Sequence, residues 1–242
     1  MTSIIRVVDF ETSGLPEQEG AAICEAGWCD VLGDVIDDTT GLMHWRVDAD
    51  RATSYLCNPG HPIPPEIRAI HHISDKDVAG APAPIEILQK LSAGEVSAFA
   101  AHVAKFERAF FDLNDARWIC TYKVALRLYP DAPSHSNQAL RYLCGLELDP
   151  DAAMPPHRAG PDAFVTAHLL AHMLNDGRAS FDDMVHWSSG PALLSKVTFG
   201  KHKGSKWEDL PTDYLEWLLY KSDMDADTKA NAKHHILKRQ KK

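Results

Sequence analysis

The sequence predicts an α/β protein, a mixed sheet with helices on its faces followed by a small C-terminal unit. Three observations carry that expectation. The first fifth of the chain holds β-branched or alternating runs, SIIRVVDF, EAGWCDVLGDVID and LMHWRVD, that read as strands. From PIEILQKLSA onward, helical apolar spacing alternates with short apolar runs, the pattern of helices laid on a sheet. In HWSSGPALLSK, Ser, Gly and Pro cluster, and the sequence beyond is turn-rich. A chain of 242 residues allows one sizeable core and a small appendage. The expected bounds are 1–180 for the main domain, 181–194 for a linker and 195–242 for the small domain. So short a unit has a marginal core and must pack on the main domain or close itself with its aromatic residues.

Taken in order, SIIRVVDF reads as a central strand, stopped by Gly14 and Pro16 in ETSGLP. EAGWCDVLGDVID and LMHWRVD continue as an antiparallel hairpin or meander. CNPGHPIPPEIRAIHHISDKDV is a Pro-rich loop that starts a short helix around Pro65. In PIEILQKLSA, Ile85, Ile87, Leu88 and Leu91 stand close to helical spacing. EVSAFAAHV then reads as a buried strand and KFERAFFDLND as the helix after it. RWICTYKVALRLYP suits a short strand entering a helix closed by Pro130, and SNQALRYLCGLE a helix capped at Ser136 with Gly145 past its end. GPDAFVTAHLLAHMLNDG is the clearest helix. Pro161 suits its first turn, and Phe164, Ala167, Leu170, Ala171 and Leu174 make an apolar stripe before Gly177. In the C-terminal unit, VTFGKHKGSKWEDLP is turn-rich, and DYLEWLLYKSDM is a helix with Tyr214, Trp217 and Leu218 on one face.

Composition narrows the classes. Hydrophobic residues at 45% and charged ones at 24% are ordinary for a packed globular chain and argue against disorder. There is no apolar run of about 18 residues and no basic-then-apolar start, so a cytoplasmic protein is expected. Cys24, Cys29, Cys57, Cys120 and Cys144 contain no CxxC pair, and reduced, mostly buried thiols are expected rather than a disulfide framework or a zinc site. The net charge of −9 is uneven: Ser195 to Lys242 carries +4 and the remainder −13. If the ligand is a polyanion, the acidic body needs cations, and the basic tail supplies attraction.

The chemistry begins in VVDFETSGL. In a strand, residues i and i+2 project from one face, so Asp9 and Glu11 point together and Phe10 goes to the other side. Two desolvated carboxylates repel unless a cation or salt bridge intervenes. Oxygen ligands without thiols favour Mg²⁺ or Mn²⁺ over zinc. In HRAGPDA, His157 precedes Asp162 by five residues, with the acid in the first turn of a helix and the imidazole on the loop before it. An imidazole, ordinarily of pKa about 6.5, can accept a proton from an attacking water near neutral pH.

In that order and spacing, VVDFETSGL, AAHVAKFERAFF and HRAGPDA resemble the three motifs of the DEDDh exonucleases, which include the DNA polymerase III epsilon proofreading subunit, ribonuclease T and oligoribonuclease. PIPPEIRAIHHIS resembles the connecting segment of that superfamily. WICTYKVALRLYP and VTFGKHKGSKWEDLPTDYLEWLL look like the middle and C-terminal regions of the exodeoxyribonuclease X family, so the likeness covers nearly the whole chain. The resemblance implies a ribonuclease H-like fold, a mixed five-stranded sheet with flanking helices. It further implies 3′→5′ hydrolysis releasing nucleoside monophosphates from single-stranded or 3′-ended DNA, with RNA an open alternative. Two divalent cations, Mg²⁺ or Mn²⁺, would be held by Asp9, Glu11, Glu107 and Asp162, with His157 as general base. Thr12, Ser13, Gly14 and Leu15 would seat the terminal nucleotide, Leu15 beside its base, with His102 and Phe106 as further substrate contacts.

The second motif departs from the family's Asn-x-x-x-Phe/Tyr-Asp. Val103 replaces the Asn, leaving its hydrogen bond lost or supplied elsewhere, with His102 the candidate; Glu107 keeps the charge with one more methylene. A nucleic-acid-end binding module with impaired catalysis is therefore the rival reading. The connecting segment also has His72 where the family usually has Gly. In the C-terminal unit, Lys201, Lys203 and Lys206 around Gly204 are expected phosphate contacts and Trp207 a stacking surface.

Overall fold

The structure, a computed structural model, describes residues 3–111, 113 and 115–240. Its first strand, β1 (Ser3–Thr12), is the one around which the sheet is built. β2 (Ile23–Asp37) runs antiparallel beside it. The outer edge of β2 is shared by two short strands: β3 (Leu42–Val47) pairs with its second half and β4 (Thr53–Leu56) with its first. The sheet thus has six strands in five positions, one more than expected. TSYL is missed in the sequence because three of its four residues are exposed and no apolar alternation marks them.

Three helices follow, α1 (Pro65–His71), α2 (Asp75–Val78) and α3 (Pro84–Leu91). His72 closes α1 in the left-handed region at φ 59°, where a glycine is unstrained, which is the physical meaning of the usual Gly there. β5 (Ala98–Ala101) returns parallel to β1 on the side away from β2. The helix expected over KFERAFFDLND is α4 (Lys105–Phe110); Asp112 and Asn114 of that stretch lie outside the described residues, as does the end of the basic tail. β6 (Trp118–Cys120), parallel to β5, runs straight into α5 (Thr121–Leu128). Next come α6 (Asn137–Leu143), capped by the Ser136 hydroxyl, α7 (Pro150–Ala153) and α8 (Ala159–Asn175).

Two apolar layers sandwich the sheet. On one face Ile5, Val7 and Val31 pack against Phe164, Leu170 and Met173 of α8; on the other Val8, Phe10 and Phe99 meet Ile87 and Leu91 of α3. α8 is buried beyond its expected stripe, because Val165 and Leu169 are also enclosed. The stretch 181–194, expected as a linker, instead begins with α9 (Phe181–Ser189). Phe181 stacks on Trp45, and the Ser188 hydroxyl accepts the Cys120 N–H at 2.7 Å, so α9 belongs to the main body and the connection shortens to 190–194.

Beyond it, 3₁₀ turns at Gly200–His202 and Trp207–Asp209 lead to α10 (Thr212–Tyr220) and α11 (Ala226–Gln240). Arg239, near the end of α11, donates to the Thr212 hydroxyl at the start of α10, which fixes the two helices antiparallel. Val197, Trp207, Leu210, Leu215, Leu218 and Ala232 make a core of their own. Buried Asn231 ties the connection down, accepting from Leu194 N–H and donating to the Ala192 carbonyl. The five thiols are free, four of them buried. Among the described residues no helix is long and apolar enough to cross a membrane.

Candidate active site

Parity along β1 decides where its acids point. Ile5 and Val7 face α8, and Asp9 and Glu11 continue that odd-numbered series to the C-terminal end of the strand. There the first turn of α8 supplies Asp162, and α4, following the parallel strand β5, supplies Glu107. All four carboxylates, with His157, line one cavity of about 570 Å³. No Lys or Arg is among its described lining residues.

Burial raises every acid of the cluster, and neighbouring carboxylates add to it at Asp9 and Glu11. Burial, then Asp162 and Glu107, hold Asp9 well above the usual carboxylate range. Burial, then Asp162 and Glu25, push Glu11 up to about 8, and burial alone takes Glu107 to about 8. Burial also raises Asp162, against the lowering pull of the His157 N–H. Acids packed so tightly without a countercharge require either protons or a bound cation.

The loop before α8 is pinned at several points. His157 takes φ 60°, and its N–H donates to Asp162 Oδ2 at 2.7 Å, leaving its exposed imidazole beside the acids. Arg158 makes two bonds to Glu25, Nε to Oε2 at 2.8 Å and Nη2 to Oε1 at 2.9 Å, and Ala159 N–H adds a third to Glu25 Oε2 at 3.1 Å. Glu25 lies directly across from Glu11 in the β1–β2 register. Glycine is required at 27 in β2, since a Cβ there would lie 2.4 Å from the Ala159 carbonyl.

Residues 7–170 match the exonuclease family termed RNase_T. The chain belongs to that family. It is 29% identical over 238 residues to exodeoxyribonuclease 10 of Escherichia coli strain K12, covering 96% of this chain and 99% of that protein. A solved structure of exonuclease X in complex with 5′ overhanging duplex DNA superposes with a TM-score of 0.61 at 29% identity, covering 76% of this chain and 99% of that one. The nuclease domain of 3′hExo, a DEDDh family member bound to rAMP, shares the fold at a TM-score of 0.52 and 18% identity, covering 72% and 93%. The chain is therefore an exonuclease with the ribonuclease H-like fold, as the sequence motifs implied.

Membership in this exonuclease family implies divalent metal ions, and the residues fit them. Ligand atoms of Glu11, His157 and Asp162 lie within 4.8 Å of one another. Glu107 Oε2 is buried without a hydrogen-bond partner, and the donors are carboxylate oxygens with one imidazole, suited to a hard cation.

Other expected contacts divide. Phe106 and His102 line the cavity, but both His102 nitrogens are spent on the scaffold. Its Nε2 meets the His135 carbonyl at 2.8 Å, an acceptor, so Nε2 carries the proton and Nδ1 accepts from the Thr121 hydroxyl. Burial holds this ring down to about 4, hence neutral. His102 therefore does not stand in for the Asn that Val103 replaced. The amides of Asn137 and Gln138, unremarked in the sequence, line the same cavity, with Asn137 Oδ1 and Gln138 Nε2 unpartnered.

Thr12 and Ser13 are buried and hold the turn, Thr12 through its hydroxyl to the Gly14 carbonyl and Ser13 by accepting from Ala22 N–H. Gly14 lies against the Gln18 side chain, while Leu15 is 58% exposed and free to meet a ligand. Lys201, Lys203 and Lys206 are exposed on the C-terminal unit. Trp207 is not a stacking surface. It is fully buried, stacked on His235 and bonded through Nε1 to the Lys196 carbonyl, because it fills the centre of the small unit's core. Glu25 also escaped the sequence reading; its only signal was a carboxylate in the apolar first half of β2, ICEAGWC.

Proposed function

We propose that this chain is a divalent-cation-dependent 3′→5′ exonuclease that releases nucleoside 5′-monophosphates from 3′ ends of DNA, single strands above all. The observation that carries this reading is the convergence of Asp9, Glu11, Glu107 and Asp162, with no Lys or Arg among the described lining residues, in one cavity beside the exposed His157. Those four carboxylates would hold two divalent cations, Mg²⁺ or Mn²⁺. Such a pair, when bound, stabilises the charge that develops on the attacking and leaving oxygens of an in-line displacement. His157 takes the proton of the attacking water as its oxygen bonds to phosphorus; the P–O3′ bond breaks and the shortened strand keeps the 3′ oxygen. The bond from His157 N–H to Asp162 and the Glu25–Arg158 pair hold that imidazole in place. The backbone of the Thr12–Leu15 turn seats the terminal nucleotide, with Leu15 against its base and Phe106 on the cavity wall. The likeness to exodeoxyribonuclease 10 and to exonuclease X in complex with DNA supports DNA over RNA.

The test is digestion of a 5′-labelled 20-mer DNA, and an RNA of equal sequence, with Mg²⁺ or Mn²⁺. The expected result is a ladder shortening from the 3′ end, faster on DNA and abolished by EDTA or Asp9→Asn. A ladder that survives either treatment overturns the chemistry, and faster RNA turnover moves the substrate class. The rival, an end-binding module, draws on exposed Val103 at the cavity wall. Tight binding without cleavage in every divalent cation would establish it instead.

A further inference from the structure

The C-terminal unit presents a surface that the catalytic cavity does not include. Its hairpin from Lys196 to Lys206 is closed by the pairing of those two residues, with Gly200 at φ 61° and Gly204 at φ 88° turning the chain. That hairpin carries Lys196, Lys201, Lys203 and Lys206 and no carboxylate. All four lysines are exposed, and only Lys206 makes ion pairs among the described residues, long ones to Asp131 and Glu208. Against it lies a run of rings: His202 to Tyr214 at 4.5 Å, then Tyr214 to Trp217, stacked at 5.7 Å and 20°. Lys201 Nζ stands 5.2 Å from the centre of the Tyr214 ring. Trp217 is 46% exposed, although Leu215 and Leu218 of the same helix supply a core without it. Lys201, His202, Tyr214 and Trp217 line a concavity of about 580 Å³ with Pro211 and Asp213, the one carboxylate in the lining, whose Oδ1 accepts Tyr214 N–H; Lys203 stands on the hairpin beside it.

We infer that this concavity is a binding platform for single-stranded nucleic acid, engaging the strand at a distance from its reacting 3′ end. The inference rests on the exonuclease reading for the identity of the strand. Exposed stacked rings beside a row of ammonium groups match a flexible polyanion with unpaired flat bases: bases lie on Trp217 and Tyr214, and phosphates follow Lys201 and Lys203. Bases paired inside a duplex are stacked on one another and not free to stack on a side-chain ring, so a duplex fits poorly. The charge division supports the same occupant. The body carries −13 and repels a nucleic acid, whereas residues 195–242 carry +4.

The test uses the full chain in EDTA, where no hydrolysis occurs, and the anisotropy of 5′-fluorescein-labelled dT20. Trp217→Ala should weaken binding about 5- to 100-fold, and Trp217→Phe, which keeps a ring, should recover most of it. Lys201→Ala and Lys203→Ala should each flatten the slope of log affinity against log salt by about 0.7. Tyr142→Ala, which removes an exposed ring elsewhere, should bind as the wild type does. Wild-type affinity in Trp217→Ala, or equal binding of a blunt duplex with equal loss on that substitution, overturns the platform. The two readings fail separately. A chain that needs Trp217 to bind dT20 yet cuts nothing with Mg²⁺ or Mn²⁺ loses the exonuclease reading alone; one that cuts with affinity indifferent to Trp217 loses the platform alone.

Discussion

Glu25 and Glu11 face each other across two strands, and their surroundings give them opposite roles. Glu25 is neutralised by a bidentate guanidinium and a backbone N–H, whereas Glu11 has like charges around it and only the more distant Arg158 to offset them. Glu25 is thus a positioning residue, acting through Arg158 on the loop that carries His157. Displacing a reacting group by about 1 Å can cost on the order of a hundredfold in rate. Glu25→Gln is therefore expected to lower kcat about 10- to 100-fold with little change in KM, read by steady-state release of nucleotide. A parallel loss in KM alone would assign Glu25 to strand binding. Glu107 is longer than the family's Asp, and its Oε2 lies unpartnered in the cavity, so the extra methylene is accommodated here. Shortening it should not help: Glu107→Asp is expected to cut the rate about tenfold, and a rate gain would mean that the motif's departure does impair this chain.

The close seat of α8 on β2 shows how an element sets the site. Gly27 touches the Ala159 backbone and has no room for a side chain, while a Cβ at Gly160 would sit tightly, 3.0 Å from the Ser54 hydroxyl. Gly27→Ala forces backbone apart at about 1–3 kcal/mol, a loss of roughly 3–10 °C in Tm, and should carry His157 and Asp162 away from β1, lowering kcat as well. In the small unit, burial beside Trp207, then His234, Lys238 and Arg239, hold His235 down to about 4. An unfolded histidine titrates near 6.5, so between about 6.5 and 4 the unfolded chain takes a proton that the folded one refuses. The contribution is whole above pH 6.5 and is lost as pH falls toward 4. The wild-type Tm should therefore drop more than that of His235→Phe between pH 7 and 5; equal drops would remove the effect. Elements were legible where apolar spacing was regular, as in β1, α5 and α8. They were illegible where tertiary contact made them: β4 exists because β2 is long enough to take two edge partners, and α9 because Trp45 and Cys120 hold its side chains.

Across the whole molecule, the four carboxylates of the cavity come from β1, α4 and the start of α8, separated in sequence and gathered at one end of a sheet. That Asp9, Glu11, Glu107, His157 and Asp162 meet in one cavity was legible in the sequence because three motifs in order constrain one another. Glu25, Asn137 and Gln138 were not legible, because their roles depend on partners distant in sequence or on a shared cavity wall. Trp207 and Trp217 were indistinguishable in kind; only burial separates the ring that closes the small core from the ring that faces solvent. The central claim is electrostatic: an acidic cavity lacking its own cation binds divalent ions. It is tested most directly by calorimetric titration of Mn²⁺ into the metal-free chain at pH 7.5. The account predicts saturable binding of about two ions per chain, weakened at least tenfold by Asp9→Asn and by Asp162→Asn. Wild-type binding no tighter than that of either variant would contradict it.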